Sequence, residues 1–156
     1  MRDAMDVAEY VLWYCENKLN KPITNLQLQK FLYYIQGANI LVNKTPLFDN
    51  TIEAWKYGPV VPDVYYWYNN NLSNDIKGVQ VKSNDIFSSD EIMVIERVSN
   101  LLINVEAWTL VKETHNESPW KNAYNMNYNE EIDINSIREF FTDNEVGVWS
   151  KFQRIN

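Results

Sequence analysis

The sequence predicts a mainly α protein: a single compact helical domain of about six helices with a small β-hairpin or short strand element. Three observations carry this. Apolar side chains recur at helical spacing in several separate stretches, one of which opens on a capping box. Alternation with a period of two is confined to Ile52–Tyr57, immediately before Gly58-Pro59. No internal repeat, low-complexity linker or boundary divides the 156 residues. The domain is therefore expected to span 1–156, with a core over about 5–142 and a variable tail over 144–156.

The first helix is expected from Asp3, its N-cap, to Asn17, with Ala4, Val7, Ala8, Val11, Leu12 and Cys15 on its apolar face. Lys21-Pro22 is a turn. Thr24 and Gln27 then form a capping box, and Ile23 and Leu28 stand in the staple positions of a second helix reaching about Val42. Leu28, Phe31, Leu32 and Ile35 share one face of it, while Leu26, Tyr33 and Tyr34 broaden that face, so this helix is central. Gly37 offers a point of close helix packing. Pro46 marks a loop. In the run that follows, Ile52 and Ala54 point one way and Glu53, Trp55 and Tyr57 the other, as in a short strand that Gly58-Pro59 ends.

Pro62 suits the first turn of a third helix, where a missing N–H costs little. That helix carries Tyr65, Tyr66, Trp67 and Tyr68, which sweep about 300° of its circumference at 100° per residue. One core-facing stripe cannot absorb four such rings. Residues 73–89 read as loop with a short extended piece at Val79–Val81. Further helices are expected from about Asp90, capped by Ser89 or Asp90, to Asn104; from Val105 through Thr114; and from an Asp133 cap through Phe141. The tail with Val146, Val148, Trp149 and Phe152 is ambiguous.

A chain that is 46% apolar and of this length buries a real core without a disulfide or metal. Its single cysteine, Cys15, forbids an internal disulfide, no apolar run is long enough for a membrane span, and the acidic start is unlike a signal peptide. Cytoplasm is the default compartment. The net charge is −7, with seven basic and thirteen acidic residues in 79–156, so direct nucleic-acid binding is disfavoured. The chain holds six tryptophans, ten tyrosines and six phenylalanines, which need a core or an interface to occupy.

Catalytic chemistry finds little support. His115 is the sole histidine and HExxH is absent, so no metal is expected. Cys15 lies on an apolar helix face, which suits an inert thiol. Glu113 with Glu117 and Glu130 with Glu131 read as solvated surface pairs. No Rossmann or P-loop glycine pattern occurs, and no cofactor is expected. What stands out instead is Glu53 through Tyr65, where two prolines lock the chain between aromatics. Rigid loops rich in tryptophan and tyrosine suit recognition, although the same residues could simply fasten a hairpin to the core. His115 has two readings likewise: a helix end satisfied by a neighbouring carbonyl, or part of a binding surface.

Two stretches closely resemble the Panacea family, also described as SocA-like or GepA-like. The first is Ile23-Thr24-Asn25-Leu26-Gln27-Leu28-Gln29-Lys30-Phe31-Leu32-Tyr33-Tyr34-Ile35-Gln36-Gly37, then Pro46-Leu47-Phe48, then Glu53 through Tyr65. The second is Glu106-Ala107-Trp108-Thr109-Leu110 with Thr114-His115-Asn116-Glu117-Ser118-Pro119-Trp120-Lys121. The family positions matched are Lys30, Tyr34, Trp55, Tyr57, Gly58, Pro59, Pro62, Tyr65, His115, Pro119 and Trp120. The resemblance implies an antitoxin of a two-gene toxin–antitoxin system, neutralising a cognate toxin by direct binding or as an adaptor that delivers it to a protease. The alternative it leaves is a phage or mobile-element protein that binds and inhibits or redirects a host factor. Ala38–Val42 departs from the aromatic-containing stretch common there, and Glu106 replaces a common serine; both bear on partner identity. The expected partner surface is Trp55, Tyr57, Tyr65, Tyr66, Trp67, Tyr68, His115 and Trp120. A homo-oligomer and a hydrolytic enzyme centred on His115 are the remaining alternatives.

Overall fold

The structure, a computed structural model, describes residues 1–83, 85–144 and 150. Its elements are α1 (Ala4–Asn17), α2 (Asn25–Asn43), β1 (Glu53–Trp55), β2 (Gly58–Val60), α3 (Pro62–Trp67), a 3-10 turn (Asn69–Asn71), α4 (Ser89–Leu102), α5 (Ala107–His115), α6 (Ser118–Ala123), β3 (Glu130–Glu131) and α7 (Ile134–Asp143). The architecture is mainly α, as expected, with α2 at the centre packed against α1, α4, α5, α7 and β2. Apart from Asn144 and Ser150, the C-terminal tail lies outside the described residues.

Helix α2 begins where its capping box places it: the Thr24 side chain accepts from the Gln27 amide, and the Gln27 side chain accepts from the Thr24 amide at 2.9 Å. Ile23 and Leu28, the staple pair, are both fully buried. The helix is buried on nearly every side, including the polar residues Asn25, Gln29, Lys30, Gln36 and Asn39. Its buried amides hold irregular backbone that could not otherwise be satisfied inside the protein. Gln36 accepts from the Leu47 amide at 2.8 Å and donates to the Phe48 carbonyl at 2.7 Å. Gln29 accepts from the Val61 amide at 2.9 Å, and Asn25 donates to the Tyr65 carbonyl at 3.1 Å. The entry and exit of the β-hairpin are thereby pinned to one helix. Gly37 is the expected close contact: a Cβ there would lie 2.3 Å from the Phe141 ring of α7.

Several boundaries differ from the sequence reading. Gly58-Pro59 does not end the strand region; it opens β2, which pairs antiparallel with β1 in the register Glu53↔Val60, Ala54↔Pro59, Trp55↔Gly58. Lys56 and Tyr57 are therefore a two-residue hairpin turn, and Pro59 is tolerated because β2 is an edge strand. Glu130-Glu131, exposed as expected of a surface pair, forms the third strand, giving the order β2-β1-β3. Helix α4 is capped one residue earlier than expected, by Ser88, whose side chain and that of Glu91 complete a second capping box. Helix α5 starts at Ala107 rather than Val105, because Val105 is buried in the connecting turn. Val79–Val81 forms no strand.

The four consecutive rings of α3 divide as their angular spread requires. Tyr68 turns inward at 8% exposure and joins the core, whereas Tyr66 and Trp67 stand 62% and 71% exposed. Tyr65, half-buried, faces the hairpin.

Candidate functional site: an aromatic cleft over a buried lysine

The β-hairpin is fastened to α5 and α6 from behind. The Trp120 indole N–H donates to the Trp55 carbonyl at 2.8 Å, and the Trp120 ring stacks on His115 at 4.0 Å and on Tyr124 at 4.6 Å. His115 also hydrogen-bonds the Lys56 backbone. Burial lowers its pKa below the usual imidazole value, the Lys56 bond works against that, and nearby Lys30 lowers it further. His115 Nε2 is buried without a hydrogen-bond partner. Ring stacking and the Lys56 bond thus make His115 a support for the hairpin turn, which agrees with the helix-end reading more than with a surface one.

In front of the hairpin lies an open cleft of about 760 Å³, bounded by the N-terminal turns of α2, the hairpin turn, Leu72 and the first turn of α5. Its walls are rings. Trp55 meets Tyr65 edge-on at 4.9 Å, and Tyr57 meets Trp108 edge-on at 5.3 Å. Both geometries place the positive edge of one ring against the face of the other. Tyr66 of α3 contacts Trp55 at 5.8 Å and carries the apolar surface outward from the hairpin.

Lys30 lines this cleft from α2 and is fully buried. Its ammonium donates to the Pro59 carbonyl at 3.1 Å, and burial brings its pKa down to about 7. Gly58 makes room for it. That residue adopts φ +108°, and a Cβ there would lie 2.6 Å from Lys30 Cε and 2.8 Å from Thr114 Oγ1. Lysine, glycine and the buried Thr114 come from three separate segments and interlock under the hairpin turn.

Of the residues expected to bind a partner, Trp55, Tyr57 and Tyr65 line the cleft, Tyr66 is exposed against Trp55, and Trp67 is exposed on α3. Tyr68 belongs to the core, and His115 and Trp120 brace the hairpin from its far side. The sequence reading omitted Trp108 and Leu72, which are 61% and 77% exposed. Trp108 carried a usable signal: it falls off the α5 face formed by Leu110, Val111 and Thr114, so helical spacing alone points it to solvent. Leu72 had no such signal, because its place is fixed by a left-handed conformation (φ 53°) after the 3-10 turn.

Other candidate chemistry is placed differently. Glu117 is not a solvated member of a surface pair: it is buried and accepts from Tyr33 and Tyr34. Cys15 is buried in the core, and burial raises its pKa to about 12. Among the described residues no group of three or more His, Cys, Asp or Glu side chains could hold a metal ion. No described helix is long and apolar enough to cross a membrane.

Comparison with known proteins gives two matches. Residues 28–121 match the family model for the SocA-like antitoxin Panacea domain. Antitoxin SocA of Caulobacter vibrioides (strain NA1000 / CB15N) is 36% identical over 114 residues, which is 65% of this chain and 60% of that protein. The chain thus aligns with a little under two thirds of its curated relative's length. No solved structure matches significantly. The matched family segment contains α2 from Leu28, the hairpin, α3, α5 and most of α6, and so contains the cleft's lining apart from Thr24, Asn25, Leu26 and Asn129.

Proposed function

Because the chain belongs to the SocA-like Panacea domain family, we propose that it is an antitoxin that holds a cognate toxin by direct protein–protein contact. The observation that carries this reading is the cluster of rings around the cleft, with Trp108 and Tyr57 exposed on one side and Trp55, Tyr65 and the exposed Tyr66 on the other. Large apolar groups clustered at a surface with no internal partner to cover them mark an interaction site. Tyrosine and tryptophan, held on a hairpin and short helices, give contact area at small entropic cost. The net charge of −7 adds attraction toward a basic partner and speeds encounter.

The test is co-expression. A neighbouring gene whose product arrests growth alone, and is tolerated with this chain, supports the reading when the two proteins co-purify. Direct neutralisation predicts that the toxin persists at full level in the complex. A fall in toxin level on co-expression, reversed by removing a cellular protease, assigns an adaptor role instead. Loss of rescue without loss of folding in a Tyr57→Ala, Trp108→Ala variant would tie neutralisation to the cleft; retained rescue would move it elsewhere.

A further inference from the structure

In two other hollows on the described surface the charged side chains are all acidic: Asp49, Glu131 and Asp133 in one, Glu130, Glu131 and Asp133 in the other. The aromatic cleft is the reverse. Its charged lining residues are Lys30 and Lys56, in a chain with a net charge of −7. Lys56 reaches over the Tyr57 ring, its ammonium 5.5 Å from the ring centre. Lys30 is fully buried and forms no ion pair with any described carboxylate; its hydrogen bond goes to the neutral Pro59 carbonyl. Lys56 is the exposed cation at the rim, and Lys30, in its protonated form, adds positive potential from behind apolar walls where dielectric screening is weak.

Resting on the docking reading above, we infer that the cleft receives an acidic-aromatic segment of the bound protein. A large apolar side chain enters between the Trp55–Tyr65 and Tyr57–Trp108 pairs, and a neighbouring carboxylate is drawn to Lys56 at the rim and to the positive potential of Lys30 behind it. The occupant is a protein segment rather than a small compound because the rings continue past the cleft. Tyr66 extends the apolar surface outward from Trp55, and Trp67 stands exposed next to it on α3. A compound filling 760 Å³ would leave them uncovered. The sign is opposite to what the acidic exterior attracts. That contrast gives specificity: a basic segment drawn to the protein at long range is repelled at the cleft, so only one register docks.

The experiment titrates the purified chain at low salt and pH 6, where Lys30 is protonated and the peptide glutamates are ionised, with the capped peptides Ac-Glu-Trp-Glu-Leu-amide and Ac-Lys-Trp-Lys-Leu-amide, read by NMR. The acidic peptide is expected to bind at least about tenfold more tightly, and to shift the indole resonances of Trp55 and Trp108. Lys56→Glu, at an exposed position, is expected to abolish or invert that preference. Equal affinities, a preference for the lysine peptide, or no saturable shift at millimolar peptide overturns the inference. So does adenosine monophosphate shifting the same resonances where the acidic peptide does not, which would assign the cleft to a small anionic ring. These readouts need no toxin, so their failure is separate from failure of the co-expression assay.

Discussion

The Tyr34 hydroxyl donates to the Glu117 carboxylate at 2.6 Å, joining the central helix to the start of α6 across 83 positions of sequence. Tyr33 donates to the other carboxylate oxygen at 2.8 Å. All three residues are buried. Desolvation, reinforced by the Glu117 charge, holds both tyrosine pKa values well above normal, so both hydroxyls stay protonated and remain donors. Removing the carboxylate strands two buried hydroxyls. Glu117→Ala is expected to lose about 3–5 kcal/mol of stability in urea unfolding, and Glu117→Gln roughly half as much, because the amide keeps one acceptor.

Lys30 makes stability depend on pH with a definite sign. Its folded pKa is lowered to about 7, while the unfolded chain keeps an ordinary lysine near 10.5. Between those values the unfolded state binds more protons, so stability rises with pH. The burial penalty is fully present below pH 7 and relieved above it. His115, whose pKa is also lowered, contributes at lower pH, and the raised tyrosine and cysteine values act only at higher pH. The difference between wild type and Lys30→Met isolates the lysine. The variant is expected to be the more stable at pH 6, with the gap closing by up to ~1.4 kcal/mol per pH unit between pH 7 and 8.5. A gap that stays constant with pH sinks this assignment.

Gly37 and Phe141 form a contact whose energetics are separable. A Cβ at Gly37 meets the Phe141 ring at 2.3 Å, well inside van der Waals contact. Gly37→Ala is expected to destabilise by ~1–3 kcal/mol, despite alanine's better helix propensity, because the ring is wedged against Tyr33 and Tyr34. Phe141→Leu alone is also costly, by leaving a void. The double variant should lose less than the sum of the two singles. Strict additivity in thermal unfolding would show that the two residues do not share that space.

Much of this architecture is legible one residue at a time. The Thr24 capping box and the Ile23–Leu28 staple are local devices, and local sequence specifies them fully. The angular argument for Tyr65–Tyr68 is equally local, since ring positions follow from helical pitch; it correctly required the rings to divide. Which ring turns inward depends on how α3 docks, and that is a tertiary matter. The same limit explains the rest. Nothing near Glu117 in sequence distinguishes a buried acceptor from a solvated acid; its partners lie on α2. Glu130-Glu131 carries poor strand propensity, and its pairing is supplied by β1. Lys30 lies among residues of a buried helix, which hinted at a buried charge, but the cleft above it exists only once the hairpin and α5 meet.

The exposed rings give the sharpest separation of stability from function. Tyr57 and Trp108 meet edge-on at 5.3 Å, with Lys56 over the Tyr57 ring and much of both side chains in solvent. Their mutual contact is worth about 0.5–1.5 kcal/mol beyond the area it buries, and with most of Trp108 in solvent the folding loss from Trp108→Ala stays small. An aromatic anchor at the centre of an interface contributes ~2 kcal/mol or more to binding, or roughly thirtyfold in affinity. Trp108→Ala should therefore leave the unfolding midpoint nearly unchanged while weakening toxin capture at least about tenfold. Trp120→Phe should do the opposite. It keeps a ring to stack on His115 and Tyr124 but deletes the N–H donated to the Trp55 carbonyl. Its expected effect is about 1 kcal/mol in stability, with a smaller change in capture. If Trp108→Ala instead unfolds the chain and leaves capture intact in the folded fraction, that ring is part of the scaffold and the interface lies on another face.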